Sequence, residues 1–161
     1  MTDKIYINPL NYTGAKHKLL SFIKQNLPLC CTTLVDLFGG SGELAINLAD
    51  NFDNVVYNEI NPYLYNIIKT FSDVPSNIFV DLIENVIYYY KLDKYNRECF
   101  LECRYDCNLV EYIAFLENNI TKSELILAVV HLCVLICHSF KNFLHINKEG
   151  KFMVPSGAKR M

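Results

Sequence analysis

The sequence predicts an α/β fold for its first part and a helical block with a β-hairpin for its second. Residues 33–71 alternate as strand, helix, strand and helix, the order that produces a right-handed βαβ unit in a parallel sheet. Between Pro75 and His138 apolar residues recur at helical spacing, and residues 143–154 alternate around a turn at Gly150. We therefore expect an α/β part at 1–71 and a helical part at 72–161.

Apolar spacing and turn residues define five elements in the first part. Pro28 ends the first helix, and Asn61-Pro62 is a helix start, because proline lacks an N–H that would have no partner there. The predicted elements are a helix at 16–25, a strand at 34–38, a helix at 43–50, a strand at 54–59 and a helix at 62–71.

Two parallel strands do not make a stable sheet alone, because parallel sheets are buried on both faces and contain more strands. No further strand–helix units follow residue 71. Three explanations stay open: another polypeptide completes the sheet, the chain is part of a longer protein, or the α/β part packs on the helices.

The second part is predicted to be mainly helical. Thr121 and Glu124 have the spacing of a capping box, in which each residue bonds a backbone N–H of the other. The predicted helices cover 76–91, 96–107, 108–118 and 121–138. The most apolar stretch, 125–137, is too short to span a bilayer and is expected to be a buried helix.

Composition indicates one folded domain, or one with a small appendage. The 161 residues are 52% hydrophobic and 20% charged, which excludes a disordered chain, and the net charge of −2 gives no overall signal for nucleic acid. The basic residues at the end of the chain suggest either a local anion-binding surface or a solvated edge. They are Lys141, Lys148, Lys151, Lys159 and Arg160, against the single Glu149.

The seven cysteines, an odd number without an apolar leader in residues 1–18, predict free thiols in a reducing cytosol. Cysteines recur every four residues in two places. The first set is Cys99, Cys103 and Cys107, and the second is Cys133 and Cys137, with His131 and His138 nearby. A metal site is one interpretation. Because no C-x-x-C pair occurs and cysteine is readily buried, we favour burial and expect no metal.

Residues 33–42, TLVDLFGGSG, form an apolar strand that breaks into a glycine loop before a helix. Glycines allow a ligand to reach backbone N–H groups at a helix N-terminus, although a simple tight turn would look the same. Glu59, at the end of the second strand, is suited to accept hydrogen bonds from ribose hydroxyls. Because the loop is not G-x-G-x-x-G, a pyrophosphate is not the obvious ligand. The Phe-x-Gly-x-Gly spacing of residues 38–42 suits a ligand with a charged amino-acid tail and an adenosine, that is, S-adenosylmethionine.

Three segments in order, Tyr12-Thr-Gly-Ala-Lys16, Val35-Asp-Leu-Phe-Gly-Gly-Ser-Gly42 and Asn58-Glu-Ile-Asn-Pro62, resemble motifs of the Dam-type (D12 class) DNA adenine-N6 methyltransferases, particularly those of phages. The resemblance implies the amino-terminal part of a Rossmann-like, S-adenosylmethionine-dependent sheet followed by a helical target-recognition domain. Glu59 stands where the family usually has aspartate. The implied cofactor-binding residues are Tyr12, Lys16, Asp36, Phe38, Gly40, Gly42, Glu59 and Ile60.

Residues 143–157 resemble the DNA-contacting hairpin of the same family. His145 stands where that hairpin usually has arginine, the residue that reads guanine with two hydrogen bonds, so a GATC-like target is in question. The implied contacts to duplex DNA come from Lys141, Asn142, His145, Asn147, Pro155 and Lys159.

The family's catalytic motif, Asp-Pro-Pro-Tyr, does not occur in the sequence. We therefore expect a truncated or split methyltransferase without catalytic residues of its own, inactive alone, in the cytoplasm of a bacterial or phage-infected cell. A separate carboxyl-terminal half would supply the motif. The alternatives are a non-catalytic DNA-binding remnant or regulator, and a poorly folded truncation.

Overall fold

The computed structural model describes residues 5–8, 10, 12, 15–28, 30–109 and 120–157. The chain divides into two compact units, 1–68 and 69–161. The predicted helix at 108–118 lies outside the described residues beyond Leu109. Lys159 and Arg160 lie outside them as well.

The first unit is built around a two-stranded parallel sheet, as the βαβ pattern predicted. A 3-10 turn, His17–Leu19, leads into α1, and the pairing of β1 with β2 runs from Thr33 opposite Asn54 to Asp36 opposite Tyr57. The elements are α1 (Leu20–Asn26), β1 (Thr33–Asp36), α2 (Glu43–Leu48), β2 (Asn54–Tyr57) and α3 (Pro62–Asp73).

Both strands end earlier than predicted, so Phe38 and Glu59 lie in loops. The backbone turns after Asp36 because the following residues bond to the end of β2 instead of extending the ladder. The predicted start of α3 is confirmed, since Asn61 Oδ1 accepts the backbone N–H of Tyr63 at 3.1 Å and that of Leu64 at 3.3 Å.

Burial alternates along β1 because successive side chains point to opposite faces of a strand. Leu34 and Asp36 are buried, whereas Thr33 and Val35 are exposed. Val56, the register partner of Val35, is exposed as well, so the described residues leave this face of the sheet uncovered.

The second unit contains three described helices, α4 (Ser76–Tyr90), α5 (Arg97–Leu109) and α6 (Lys122–His138). The predicted capping box is confirmed: Thr121 Oγ1 accepts the N–H of Glu124, and Glu124 Oε2 accepts the N–H of Thr121. α6 packs against α4 and α5 and buries most of its second half. Within the described part of the chain, no helix is both long and apolar enough to cross a membrane.

No cysteine of the described residues forms a disulfide, and Cys103, Cys107 and Cys133 are buried. Burial raises the pKa of the Cys103 thiol to about 12, so this cysteine is protonated and inert at neutral pH. In the described ranges, no group of three or more histidine, cysteine or acidic side chains is placed to hold a metal ion.

The hairpin predicted at 143–154 is reduced to a turn with single antiparallel bridges. Ile146 pairs with Phe152, and Ser139 pairs with Ser156. Gly150 has φ +74°, the positive angle that the turn prediction required. The segment is therefore held by few backbone ladder bonds.

Candidate functional site

The glycine loop between β1 and α2 has the backbone shape that only glycine adopts easily. Gly40 has φ +54° and Gly42, the residue that precedes α2, has φ +73°. A Cβ atom at Gly40 would lie 3.1 Å from Cε1 of Tyr12, and one at Gly42 would lie 3.1 Å from Cδ1 of Ile68. Both the backbone angle and the surrounding side chains therefore select glycine.

The end of β2 fixes this loop. The Gly39 N–H donates to the Asn58 carbonyl at 2.9 Å, and Asn58 Nδ2 donates to the Leu37 carbonyl at 2.8 Å. The Tyr57 hydroxyl donates to the Gly40 carbonyl at 2.6 Å, and a Cβ atom at Gly39 would lie 2.1 Å from the Tyr57 ring. Sequence reasoning missed Tyr57 and Asn58, although the polar residue and the aromatic at the end of a strand beside a glycine loop were a signal for them.

Glu59 lies against the same loop. Its Oε2 accepts the Gly40 N–H at 2.7 Å, and its Oε1 accepts the Asn61 N–H at 2.9 Å. A carboxylate has about four acceptor positions, so both oxygens retain capacity for a further donor. The side chain is half-buried, so a ligand at the loop could reach it.

Asp36, the last residue of β1, is only 4% exposed. Among the described residues its Oδ2 atom has no hydrogen-bond partner. Burial raises the pKa of this carboxyl, and the nearby charge of Lys16 and the backbone N–H groups of Ala45 and Phe38 oppose the rise without cancelling it. A donor or a cation placed beside Oδ2 would relieve this cost.

Lys16 and Tyr12 reach the loop from the amino-terminal segment. Lys16 Nζ donates to the Phe38 carbonyl at 2.9 Å, and the Tyr12 ring lies beside Gly40. Phe38 is 83% exposed and Ile60 is 96% exposed, so two large apolar side chains stand in solvent next to the loop. The structure thus brings the predicted residues of the first unit to one edge of the sheet, the edge at which both strands end.

The predicted DNA-contacting turn lies in the second unit. Asn147 Oδ1 accepts the N–H of Lys151 at 2.8 Å and that of Glu149 at 3.1 Å, so this side chain stabilises the turn. His145 is exposed, and its carbonyl accepts the N–H of Met153 at 3.0 Å. The turn therefore presents His145, Lys148 and Lys151 to solvent.

Three further predicted residues flank this turn. Lys141 and Asn142 have φ +57° and +55°, a left-handed conformation that is uncommon outside glycine. Lys141 is exposed, with its ammonium 5.4 Å from the centre of the Phe140 ring. Pro155 is exposed, and its carbonyl accepts the Phe140 N–H at 2.9 Å. Lys159, the remaining predicted contact, lies outside the described residues.

Side chains of helix α5 bond to the backbone of residues 152–154, which follow the turn. Asn108 Oδ1 accepts the Phe152 N–H at 2.8 Å, and Asn108 Nδ2 donates to the Phe152 carbonyl at 3.3 Å. Arg104 Nη1 donates to the Val154 carbonyl at 3.4 Å. Phe152 is fully buried and Val154 nearly so. Sequence reasoning missed Asn108 and Arg104, because nothing local marks a helical side chain that will pair with a backbone more than forty residues away.

Comparison with known proteins agrees with the sequence motifs. A family model described as D12 class N6 adenine-specific DNA methyltransferase matches residues 12–161. Modification methylase LlaI of Lactococcus lactis subsp. lactis is 28% identical over 150 residues, which cover 93% of this chain and 22% of that protein. Type II methyltransferase M.FokI of Planomicrobium okeanokoites is 32% identical over 159 residues, 99% of this chain and 22% of that protein.

Modification methylase StsI of Streptococcus sanguinis is 33% identical over 103 residues, 64% of this chain and 16% of that protein. The chain thus spans about a fifth of the length of the first two relatives, at 22% of each. The family match covers nearly all of the chain and the motifs that carried the resemblance, which is thereby confirmed. The chain belongs to the D12 class of N6 adenine-specific DNA methyltransferases.

Proposed function

We propose that residues 1–161 bind S-adenosylmethionine and duplex DNA for the site-specific methylation of adenine N6. Residues 1–71 are the cofactor-binding part, and residues 72–161 are the target-recognition part. The observation that carries the proposal is the glycine loop with positive φ angles at the carboxyl end of β1, next to the buried carboxylate of Asp36. Family membership supplies the reaction.

The residues around the loop fit this cofactor chemically. Asp36 has a buried oxygen without a partner among the described residues, which suits the ammonium group of an amino-acid tail. Glu59 retains acceptor capacity for ribose hydroxyls. Exposed Phe38 and Ile60 suit the faces of an adenine ring, because an apolar ring leaves water on contact with them.

The remaining proposed cofactor contacts come from the loop and the segment before β1. Lys16 and Tyr12 flank the loop, and glycine at 40 and 42 leaves room for the Tyr12 ring and the Ile68 side chain beside it. When bound, the cofactor supplies a methyl group activated by a sulfonium. The residues of this chain would hold and orient that group, because methyl transfer depends on the alignment of donor and acceptor.

Catalysis also requires acceptors for the hydrogens of the adenine amine, and the base must leave the duplex to reach them. The Asp-Pro-Pro-Tyr motif that supplies these groups in the family is absent from residues 1–161. We propose that a carboxyl-terminal segment with this motif, on the same or a separate polypeptide, completes the enzyme. The exposed pair Val35 and Val56 supports this, because parallel sheets are normally covered on both faces.

For DNA, we propose contacts from the turn and its flanks. Lys141, Lys159 and Pro155 would contact the backbone, and Asn142, His145 and Asn147 would lie at base edges. His145 donates one hydrogen bond where an arginine donates two, so the preference for guanine at its position is weaker than in relatives with arginine. We propose that the protein acts in the cytoplasm of a bacterial or phage-infected cell, where its DNA substrate lies.

Calorimetric titration with S-adenosylhomocysteine tests the cofactor proposal. We expect binding by the wild type and a loss of about tenfold or more for Asp36→Asn, because a hydrogen bond to a charged group contributes about 1.5–3 kcal/mol. Asp50→Asn is the matched control, since Asp50 is exposed beyond the end of α2. Equal affinities for the two variants would contradict the role of Asp36, and no binding by the wild type would contradict the cofactor proposal.

Methyl transfer tests the completed enzyme. The chain is mixed with a carboxyl-terminal segment that carries Asp-Pro-Pro-Tyr, and labelled methyl incorporation into duplex DNA is measured. We expect activity with both parts and none with either alone. Failure with every segment tried would leave the second candidate, a DNA-binding protein without catalysis.

The second candidate is favoured by the absent catalytic motif together with the exposed lysines of the turn. It predicts DNA binding without cofactor, with an affinity that falls steeply as salt rises. In such a titration Lys141→Ala should lower the slope of log affinity against log salt by about one. Lys94→Ala, an exposed lysine between α4 and α5, is the control.

A further inference from the structure

The segment at 5–17 carries Tyr12 and Lys16 to the glycine loop. Its described residues before the His17–Leu19 turn form neither helix nor strand, and the bonds within it are short-range, such as that from the Tyr12 N–H to the Leu10 carbonyl at 2.9 Å. A segment of this kind needs partners elsewhere to keep two side chains in place, because each unconstrained residue costs about 1–2 kcal/mol of entropy to order.

Helix α2 provides these partners through Asn47. Asn47 Oδ1 accepts the Tyr6 N–H at 2.7 Å, and Asn47 Nδ2 donates to the Tyr6 carbonyl at 2.8 Å. The side-chain amide thus pairs with both backbone groups of one residue, as a neighbouring strand would. Asn8 adds a bond from its Nδ2 to the Ser41 carbonyl in the loop itself.

Glu43 provides the second attachment, one turn earlier on α2. Its Oε2 accepts the His17 N–H at 2.9 Å, and its Oε1 lies 3.6 Å from His17 Nδ1. Glu43 is only 3% exposed, so this carboxylate is committed to an internal contact. Asn47 Nδ2 also donates to the Glu43 carbonyl at 2.8 Å, which links the two side chains.

These attachments bracket the residues that reach the loop. Tyr6 is fixed on one side of Tyr12, and His17 directly follows Lys16 in the chain. Fixing the His17 N–H fixes the start of the Lys16 side chain, whose Nζ then donates to the Phe38 carbonyl. Because α2 begins directly after Gly42, the same helix sets the position of the loop and of the segment that covers it.

We propose that Glu43 and Asn47 are positioning residues that hold Tyr12 and Lys16 against the glycine loop. The identity of the ligand that binds at this loop rests on the proposed function. Their effect is to order the segment before a ligand arrives, so that binding does not have to supply the ordering free energy. Neither residue needs to touch the ligand.

Amide hydrogen exchange in the whole chain, followed by NMR without any ligand, tests the attachment. In Asn47→Ala we expect the Tyr6 amide to exchange about tenfold or more faster than in the wild type, because its acceptor is removed. In Glu43→Ala the His17 amide should accelerate in the same way, and in Glu43→Gln it should not, because the Gln oxygen still accepts. The exposed α4 residues give the controls Asn85→Ala and Glu84→Gln.

Amides of β1 serve as the internal reference, because they report on global unfolding of the unit. If β1 amides accelerate together with Tyr6 and His17, the substitutions only destabilise the fold and the positioning role is wrong. Unchanged exchange at Tyr6 in Asn47→Ala and at His17 in Glu43→Ala would also overturn the proposal.

A double-mutant cycle with S-adenosylhomocysteine tests whether the attachment acts through Lys16. We expect Lys16→Ala to weaken binding about tenfold in the wild type and less than about twofold in the Glu43→Ala background, because the His17 N–H that fixes the start of the Lys16 side chain is no longer held there. Equal losses in both backgrounds would overturn the positioning role. No binding by the wild type would instead refute the proposed function, and the exchange experiment would still decide whether the attachment exists.

Discussion

Replacing Gly39 with alanine tests how tightly β2 holds the glycine loop. The new Cβ atom would lie 2.1 Å from Cε2 of Tyr57, 2.4 Å from Cδ2 and 3.0 Å from Cζ. Carbon atoms in contact lie about 3.5–4.0 Å apart, so the Tyr57 ring has to move by more than about 1 Å. The ring is held at its hydroxyl by the Gly40 carbonyl and stacks on Tyr65 with 6.2 Å between ring centres.

The expected cost has two parts. Forcing an extra carbon into this contact costs about 1–3 kcal/mol, and losing the Tyr57–Gly40 hydrogen bond costs about 0.5–1.5 kcal/mol. We therefore expect Gly39→Ala to lower the free energy of unfolding by about 1.5–4.5 kcal/mol. Tyr57→Phe removes the hydroxyl alone and should cost only the hydrogen-bond part.

Urea denaturation followed by far-ultraviolet circular dichroism measures these changes, with β1 amide exchange to assign them to the first unit. The double variant Gly39→Ala/Tyr57→Ala should cost at least about 1 kcal/mol less than the sum of the single variants, because the clash needs both side chains. Additive costs would refute the steric argument. A neutral Gly39→Ala would show that the ring moves freely and that β2 does not fix the loop.

Three other substitutions have definite expected outcomes. Asn108→Ala should lower the free energy of unfolding by about 1–3 kcal/mol in urea denaturation, because the Phe152 N–H, which bonds to Asn108 Oδ1, loses its partner in a buried setting. Thr121→Ala removes the N-cap of α6 and should cost about 1 kcal/mol in the same assay. For Asp36 the folded chain keeps its proton to higher pH than the unfolded chain, so stability should fall as pH rises from the ordinary pKa of 3.8 through the raised value. Asp36→Asn should remove that dependence in denaturations across this range.

Controls for these substitutions exist within the chain. Asn77→Ala, exposed on α4, should change stability little and is the match for Asn108→Ala. For Thr121→Ala, retention of wild-type stability would mean that the cap contributes nothing.

The pH dependence of Glu124 is opposite in direction to that of Asp36. Bonds from Thr121 lower the pKa of Glu124, so its contribution to stability is lost as pH falls through that lowered value. A pH dependence that survives unchanged in Asp36→Asn would therefore belong to another group.

Local rules of sequence predicted the elements of this fold well. The Asn61 cap and the Thr121–Glu124 box depend on residues close together in the chain, and both are confirmed. The parallel pairing of the two predicted strands is confirmed as well, although both strands end earlier than predicted. The loop prediction also worked at Gly150, because a positive φ selects glycine. Such features follow from backbone geometry and need no tertiary information.

The long-range hydrogen bonds that hold the candidate sites in place could not be predicted from local sequence patterns. Asn47 bonds to Tyr6 across 41 positions, and Asn108 bonds to Phe152 across 44. Both are ordinary polar residues of helices until the fold brings a backbone segment beside them. In the predicted hairpin the pairing is limited to the Ile146–Phe152 bridge, made by the Met153 N–H to the His145 carbonyl and the Asn147 N–H to the Lys151 carbonyl. The Asn108 side chain bonds the outward-facing backbone groups of Phe152, which this pairing does not use.

The Glu59 side chain holds the glycine loop in place and is also a proposed ligand contact. The family usually has aspartate at this position, and the sequence alone assigns the carboxylate to ribose. In the structure the carboxylate spans the Gly40 N–H and the Asn61 N–H, at 2.7 and 2.9 Å. Aspartate is shorter by one methylene, so on the same backbone its carboxylate would lie farther from the Gly40 N–H, and glutamate here adds a brace to the loop. Because each oxygen keeps acceptor capacity, the brace and a ribose contact can coexist, and the longer side chain then changes how the loop is held without removing the charge.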